Sequence, residues 1–292
     1  MPAGRVTPRW HTAGMVVMAP AVAHRGGTES RAGRDDVLAL LRNGSGQRPR
    51  FDPGLAGGLR AWLEDAACEV VTARGDGAPV LFLGARQLLG EPGNGVGEAF
   101  SWPMVTACLV HALFRQIVLT GSVGDPLSDG TGALRVDPGR AGLVRHIEAL
   151  PAPEREALAG VLAGHVAHLT ALTPHFAPGW LPRTDDRVAI PLAGGRVVLH
   201  GVFDLLVGAP VAATASQCAL GLTSGGPWER AWRVLHYLAL LETLRSGTPP
   251  FRLALIHSAS GRTAVEDVRE EHLRAVVAHL VARLSGIAGA HG

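Results

Sequence analysis

An α/β fold, with a mixed sheet sandwiched by helices, is what this sequence predicts, on three observations. Four strand-length runs rich in Val, Leu, Ile and Phe lie at residues 187–192, 196–207, 215–222 and 251–257. Between and around them are apolar segments too long for strands, at 101–120, 154–172, 228–246 and 267–285. The apolar fraction, 47%, is ample for a full core in a chain of 292 residues.

Taken in order, residues 1–50 are rich in Gly, Arg and Pro without periodicity, and read as a disordered arm with a short helix around 35–41. Arg5 and Arg9 precede a short apolar run at 13–23 that ends Ala21-Val22-Ala23 and imitates a secretory leader. Pro20 interrupts that run, so a flexible leader or a start at Met15 or Met18 is the expectation. Residues 51–100 read as a small α/β extension: a helix over 55–67, strands at 69–72 and 79–83, then a glycine-rich loop at 90–97. The Gly93-Asn94-Gly95-Val96-Gly97 string lacks the strand-then-helix context of a phosphate-binding loop and reads as a linker.

The main domain is expected over 101–292. Ser101 is placed to cap a strongly apolar helix with Pro103 in its first turn. The helix at 154–172 is entered through Pro151 and Pro153 and left before Pro174. Ala193-Gly194-Gly195 joins two β-rich runs and signals a hairpin. Gly247 and Pro249-Pro250 stop the helix begun at Trp228. The closing helix carries Val268, Leu273, Val276, Val277, Leu280 and Leu284 on its apolar side.

Charge and cysteine content narrow the function classes. A formal net charge of +2 gives no global electrostatic case for nucleic acid, so any DNA affinity must come from a local arginine patch. No apolar run reaches the roughly 20 residues of a membrane-spanning helix, and no membrane association is expected. Cys68, Cys108 and Cys218 are widely spaced in apolar runs and read as buried, reduced thiols of a cytoplasmic protein. Three cysteines so spaced do not fit an iron–sulfur cluster.

The stretch 196–225 carries the functional signal. A strand ends in Gly201-Val202-Phe203-Asp204, a loop follows, and a second apolar strand ends in Gly221-Leu222-Thr223-Ser224-Gly225. This order resembles the core of the PD-(D/E)XK nuclease superfamily, in particular the RecB-like branch. Its pattern is Gly-x-x-Asp, a spacer, then Asp/Glu-x-Lys-Ser/Thr-Gly. The resemblance covers about residues 101–285 and implies a restriction-endonuclease-like fold. The first motif and the closing Ser224-Gly225 are intact, but the second carboxylate position is Gly221 and the lysine position is Thr223. No lysine can substitute, because all 27 basic residues are arginine. In such nucleases two carboxylates hold Mg²⁺, which clamps the phosphate and activates water. Asp204 alone is a poor ligand set, and arginine stays protonated and cannot act as the base. The resemblance therefore implies a pseudo-nuclease with a degenerate active site.

By strand alternation Val198, His200, Val202 and Asp204 share one face, and Leu199, Phe203 and Leu205 the other. Asp204 is either a vestigial metal ligand or a structural hydrogen-bonding aspartate. His200 lies about 13 Å away along an extended strand and reads as structural. On the next helix Arg230, Arg233 and Tyr237 fall on one face. The family often carries Gln-x-x-x-Tyr there, so the resemblance sets Arg233 at the glutamine position and Tyr237 at the tyrosine. Arg196, Arg230, Arg233 and Tyr237 are candidate phosphate contacts, since arginine binds phosphate well. Asp185, Asp186 or Glu229 could supply a migrated acid. His165, His168 and His175 read as histidines of a solvated helix face, because zinc needs three or four ligands. Trp102, Trp180, Trp228 and Trp232 read as core aromatics.

The expectation is a protein without catalysis and without a cofactor, binding DNA or docking onto a partner helicase or nuclease subunit of a DNA-processing system. The alternative is a divergent nuclease using Asp204, a migrated carboxylate and Mg²⁺ or Mn²⁺.

Overall fold

The computed structural model describes residues 49–75, 77–89, 100–173, 180–209, 211 and 215–290. The expected arm before residue 49, with its leader-like run, and the glycine-rich linker at 90–97 lie outside the described residues, as does His175.

The elements run α1 (Leu55–Arg74), β1 (Leu81–Gly84), a single turn α2 (Ala85–Leu88), α3 (Trp102–Thr120), α4 (Pro126–Arg135), α5 (Ala141–Glu148), α6 (Ala152–Leu172), β2 (Arg183–Leu192), β3 (Val197–Val207), β4 (Cys218–Thr223), α7 (Trp228–Ser246), β5 (Arg252–His257), β6 (Arg262–Asp267) and α8 (Glu270–Gly289). Six strands form one mixed sheet in the order β1-β3-β4-β5-β6, with β2 also paired to β3. The α/β class holds.

Two apolar cores lie on opposite faces of the sheet. One joins α1, α7 and α8 to Leu199, Phe203, Ala219, Leu253 and Leu255. The other joins α3, α4, α5 and α6 to Leu205, Val207, Leu220, Leu222 and Ile256. Each fully buried leucine contributes about 1.5–3 kcal/mol, so both faces need cover. The α8 stripe Leu273, Val277, Leu280 and Leu284 is buried as the periodicity predicts. α3 is the one described helix long and apolar enough to cross a bilayer, and its apolar residues are mostly buried in the second core.

Several expectations are corrected. The strand expected at 69–72 is the last part of α1, which Gly75 ends at φ 78°. Val70 continues the helical stripe of Leu63, Ala66 and Ala67, all buried. β1 pairs in parallel with β3, and α1 packs on α8, so both elements share the main sheet and its core. The short helices α4 and α5 and the strand β6 are additional.

The hairpin at Ala193-Gly194-Gly195 is present, all three residues having positive φ. It sets β2 against the whole of β3. The other edge of β3 is shared: β1 takes residues 197–200 and β4 takes 205–207. Residues 201–204 lie between them, so the sheet forks there.

Candidate functional site

The fork creates the site, because the ladder leaves backbone groups without strand partners at that point. Two side chains meet them. Tyr237 Oη lies 3.2 Å from the Leu83 carbonyl and 3.1 Å from the His200 carbonyl, and donates its proton between them. Asp204 Oδ2 accepts from the Leu222 N–H at 2.8 Å. Its other oxygen, Oδ1, accepts from His111 Nδ1–H of α3, also at 2.8 Å. Strand alternation breaks here: Asp204 and Leu205 both face the α3 side, while Phe203 and Leu206 face α7. Across the strand pair, Asp185 has φ 51° and the couple Asp185–Asp204 drops out of the register. The expected grouping of Leu205 with Leu199 and Phe203 is therefore corrected.

His111 is about a quarter exposed. Burial pulls its pKa down, but the Asp204 carboxylate, its hydrogen bond and the more distant Asp185 outweigh that and Arg140's opposition, leaving it above the ordinary histidine range. Asp185 itself pairs with Arg115 of α3. Two acids, a histidine and an arginine thus cluster beneath the fork, with Arg140 beside them.

The positions that the nuclease resemblance implies do not converge. A Cβ at Gly221 would meet Leu255 Cδ1 at 3.3 Å and Leu235 Cδ1 at 3.5 Å, on the α7 side of the sheet. Asp204 points to the α3 side. Thr223, the lysine position, is buried and its hydroxyl donates to the Gly225 carbonyl at 2.6 Å. Gly201 has a packing reason of its own: a Cβ there would sit 2.5 Å from Leu238 Cδ2, so glycine lets α7 cross β3 closely.

The phosphate candidates separate as well. Arg230 is only 2% exposed, which removes it from any groove rim. Tyr237 is fully buried, and burial drives its phenol pKa far up, so it is a neutral donor to backbone. Arg196 reaches the carbonyls of Gly75 and Ala78, tying the end of α1 to β3. Arg233 is half-buried on α7.

The acids expected as replacements are placed elsewhere. Asp186 pairs with Arg183 and Arg245, and Glu229 is exposed at the start of α7. Of the three, Asp185 comes nearest in register to Asp204.

Other side chains are also relocated. His165 is buried and donates to Ser258 Oγ at 2.8 Å, while His168 donates to the Ser258 carbonyl. They belong to a buried network, not a solvated face, because β5 ends against α6. Cys68 is exposed, correcting the expectation that all three thiols are buried; Cys218 is buried and Cys108 receives Arg140 at 3.0 Å. Trp232 is buried, but Trp102 is 39% exposed.

Among the described residues, one trio of metal-ligating side chains gathers its atoms within 4.8 Å of one another, and it lies away from Asp204. It comprises His236 of α7, Glu266 of the edge strand β6 and His272 of α8. Neither it nor His111 was legible from spacing. Sequence distances of 93 residues, for His111 to Asp204, leave no local signal.

The chain matches no known protein-family model, and no curated protein matches it either.

Proposed function

We propose that this chain is a catalytically silent, nuclease-like scaffold, docking a partner helicase or nuclease subunit of a DNA-processing system in the cytoplasm. The observation that carries the silent half of this reading is the use of Asp204. Both its oxygens are engaged inside the protein, by His111 and by the Leu222 N–H. Its would-be partner position, Gly221, faces leucines on the other side of the sheet. Mg²⁺ is held through one or two carboxylates plus waters and substrate oxygens, and here the one acid at the motif is already engaged. The DNA-processing context rests on the resemblance of Gly201-x-x-Asp204 and Ser224-Gly225 to the RecB-like nucleases.

Docking is favoured over DNA contact by the arginines. Arg230 is buried and Arg196 holds backbone carbonyls, so the expected phosphate patch reduces to Arg233. Val80, Phe82 and Val202, each at least 40% exposed, leave apolar surface at the β1 end of the sheet. Apolar surface of that kind suits a protein partner better than a phosphate backbone.

The alternative, a divergent Mg²⁺- or Mn²⁺-dependent nuclease, draws on Asp185 lying across β2–β3 from Asp204. It requires Arg115 to release Asp185 and His111 to release Asp204. Incubation of the purified chain with linear duplex and single-stranded DNA in either metal decides between them. The expected result is no degradation and no gel shift, with a helicase or nuclease subunit recovered stoichiometrically with the tagged chain from its own cells. Degradation that Asp204→Ala abolishes would sink the silent reading.

A further inference from the structure

The trio at the β6 edge supports a site that nothing in the nuclease resemblance supplies. Glu266 stands on β6 opposite Leu253 of β5, with its two carboxylate oxygens directed at two imidazoles. His236 Nε2 lies 3.4 Å from Oε2, and His272 Nδ1 lies 2.8 Å from Oε1. The His272 approach, although short, is not aligned as a hydrogen bond, so its nitrogen is close to the carboxylate without being satisfied by it. One ligand atom from each of the three residues lies within 4.8 Å of the others, a spread that small movements can close to the roughly 3.3 Å separating ligands at about 2.0–2.1 Å in a tetrahedron.

The rings are held for the purpose by packing. Trp228, Trp232 and His236 lie at i, i+4 and i+8 on α7, and the ring series continues to His272, with centroid separations of 6.4, 5.7 and 5.4 Å. His236 is buried within this stack, while Glu266 and His272 are 22% and 30% exposed at the side chain. A preformed inner ligand with two partly open ones gives an ion an entry path and leaves room for water.

We infer that His236, Glu266 and His272 bind one divalent transition-metal ion, with zinc the best match. Two imidazole nitrogens and one carboxylate oxygen are a borderline-soft set that suits zinc over Mg²⁺ or Ca²⁺. Three protein ligands leave the fourth position to water or a small anion. The ion would join α7, β6 and α8 at this edge.

The test uses the full chain, stripped with a chelator and dialysed, then titrated with Zn²⁺ against a chromophoric competitor. The expected result is one tight ion per chain, lost from Glu266→Gln and His272→Ala and retained in His146→Ala. Loss of a direct ligand is expected to weaken binding by more than the 10–100-fold, roughly, that outer partners alone cost. Circular dichroism of the stripped variants reports whether they fold. Should either fail to fold, Co²⁺ added to the wild-type chain decides the matter. One equivalent giving ligand-field bands of a four- or five-coordinate nitrogen–oxygen site supports the assignment. A wild-type chain that takes up neither metal overturns it, as do variants that bind zinc as the wild type does.

Discussion

Asp204 and Glu266 are both acids on strands, and both are flanked by histidine from a distant helix. What meets their lone pairs differs. At Asp204 one oxygen takes a backbone N–H and the other an aligned imidazole N–H, so the carboxylate completes a sheet that forks beside it. At Glu266 both oxygens confront imidazole nitrogens, and the shorter approach is not aligned as a hydrogen bond. The histidines differ in parallel. His111 is held above its ordinary range by Asp204 after burial has pulled the other way, whereas burial holds His272 below it. An acid that answers backbone belongs to the fold, and an acid that answers two imidazoles is a ligand set. The residue that the motif singles out is of the first kind.

The comparison breaks most visibly at Asp204. Asp204→Ala leaves the Leu222 N–H and the His111 N–H without acceptors, and is expected to cost about 2–4 kcal/mol in urea unfolding. Asp204→Asn keeps one acceptor and should cost about half as much. A loss below about 0.5 kcal/mol for the alanine variant, the range of an ordinary surface change, would undo the structural assignment. Next in size is Gly201→Val. The added carbons enter the space of Leu238 and Leu241, and overpacking of about 1–3 kcal/mol is expected as a lowered melting temperature. Tyr237→Phe removes the donor that serves the Leu83 and His200 carbonyls and should cost about 1–2 kcal/mol.

Titration sharpens the contrast with a smaller effect. His111 has its folded pKa raised, so its pairing stabilises fully below the unfolded value and is lost as pH rises through the folded one. His111→Gln should therefore be more damaging below the unfolded histidine pKa of roughly 6.5 than at a pH well above the raised folded one. The groups facing it are Asp204, Asp185 and Arg140. His272 has the opposite sign: its contribution is present above the unfolded pKa and lost as pH falls through the folded one. The smallest effect is expected from Glu266→Gln without metal, within about 0.5–1 kcal/mol in thermal unfolding, because that edge is partly solvated. A larger cost without metal would make Glu266 resemble Asp204 and erase the distinction.

Periodicity made the long helices and most strands legible. α7 begins at its tryptophan and ends at the residue before Gly247, and α8 buries Leu273, Val277, Leu280 and Leu284 of its stripe, with Val276 half-buried and Val268 lying before the helix. Strand β6 was not legible, since Arg262–Asp267 is a half-buried edge with no apolar run and pairs with β5 alone among the described strands. Missing that strand hid Glu266, and with it the trio. The motif around Asp204 was legible as residues but not as geometry. Alternation assumes a regular ladder, and the irregularity opposite Asp185 turns Leu205 to the same side as Asp204. His111 could not be read at all, because a lone histidine in an apolar helix has no pattern.

The pairing of β1 with β3 has a consequence for how the chain reaches its fold on the ribosome. Leu81 is in register with Val197, and the first described helix packs on the last. The amino-terminal strand and helix are synthesised long before either partner emerges from the exit tunnel. Until α8 has been synthesised, it cannot cover Leu59, Leu63 and Val70 of α1. Such late, non-local closure is slow and leaves nascent apolar surface open to aggregation, so this chain is expected to depend on chaperone holding during synthesis.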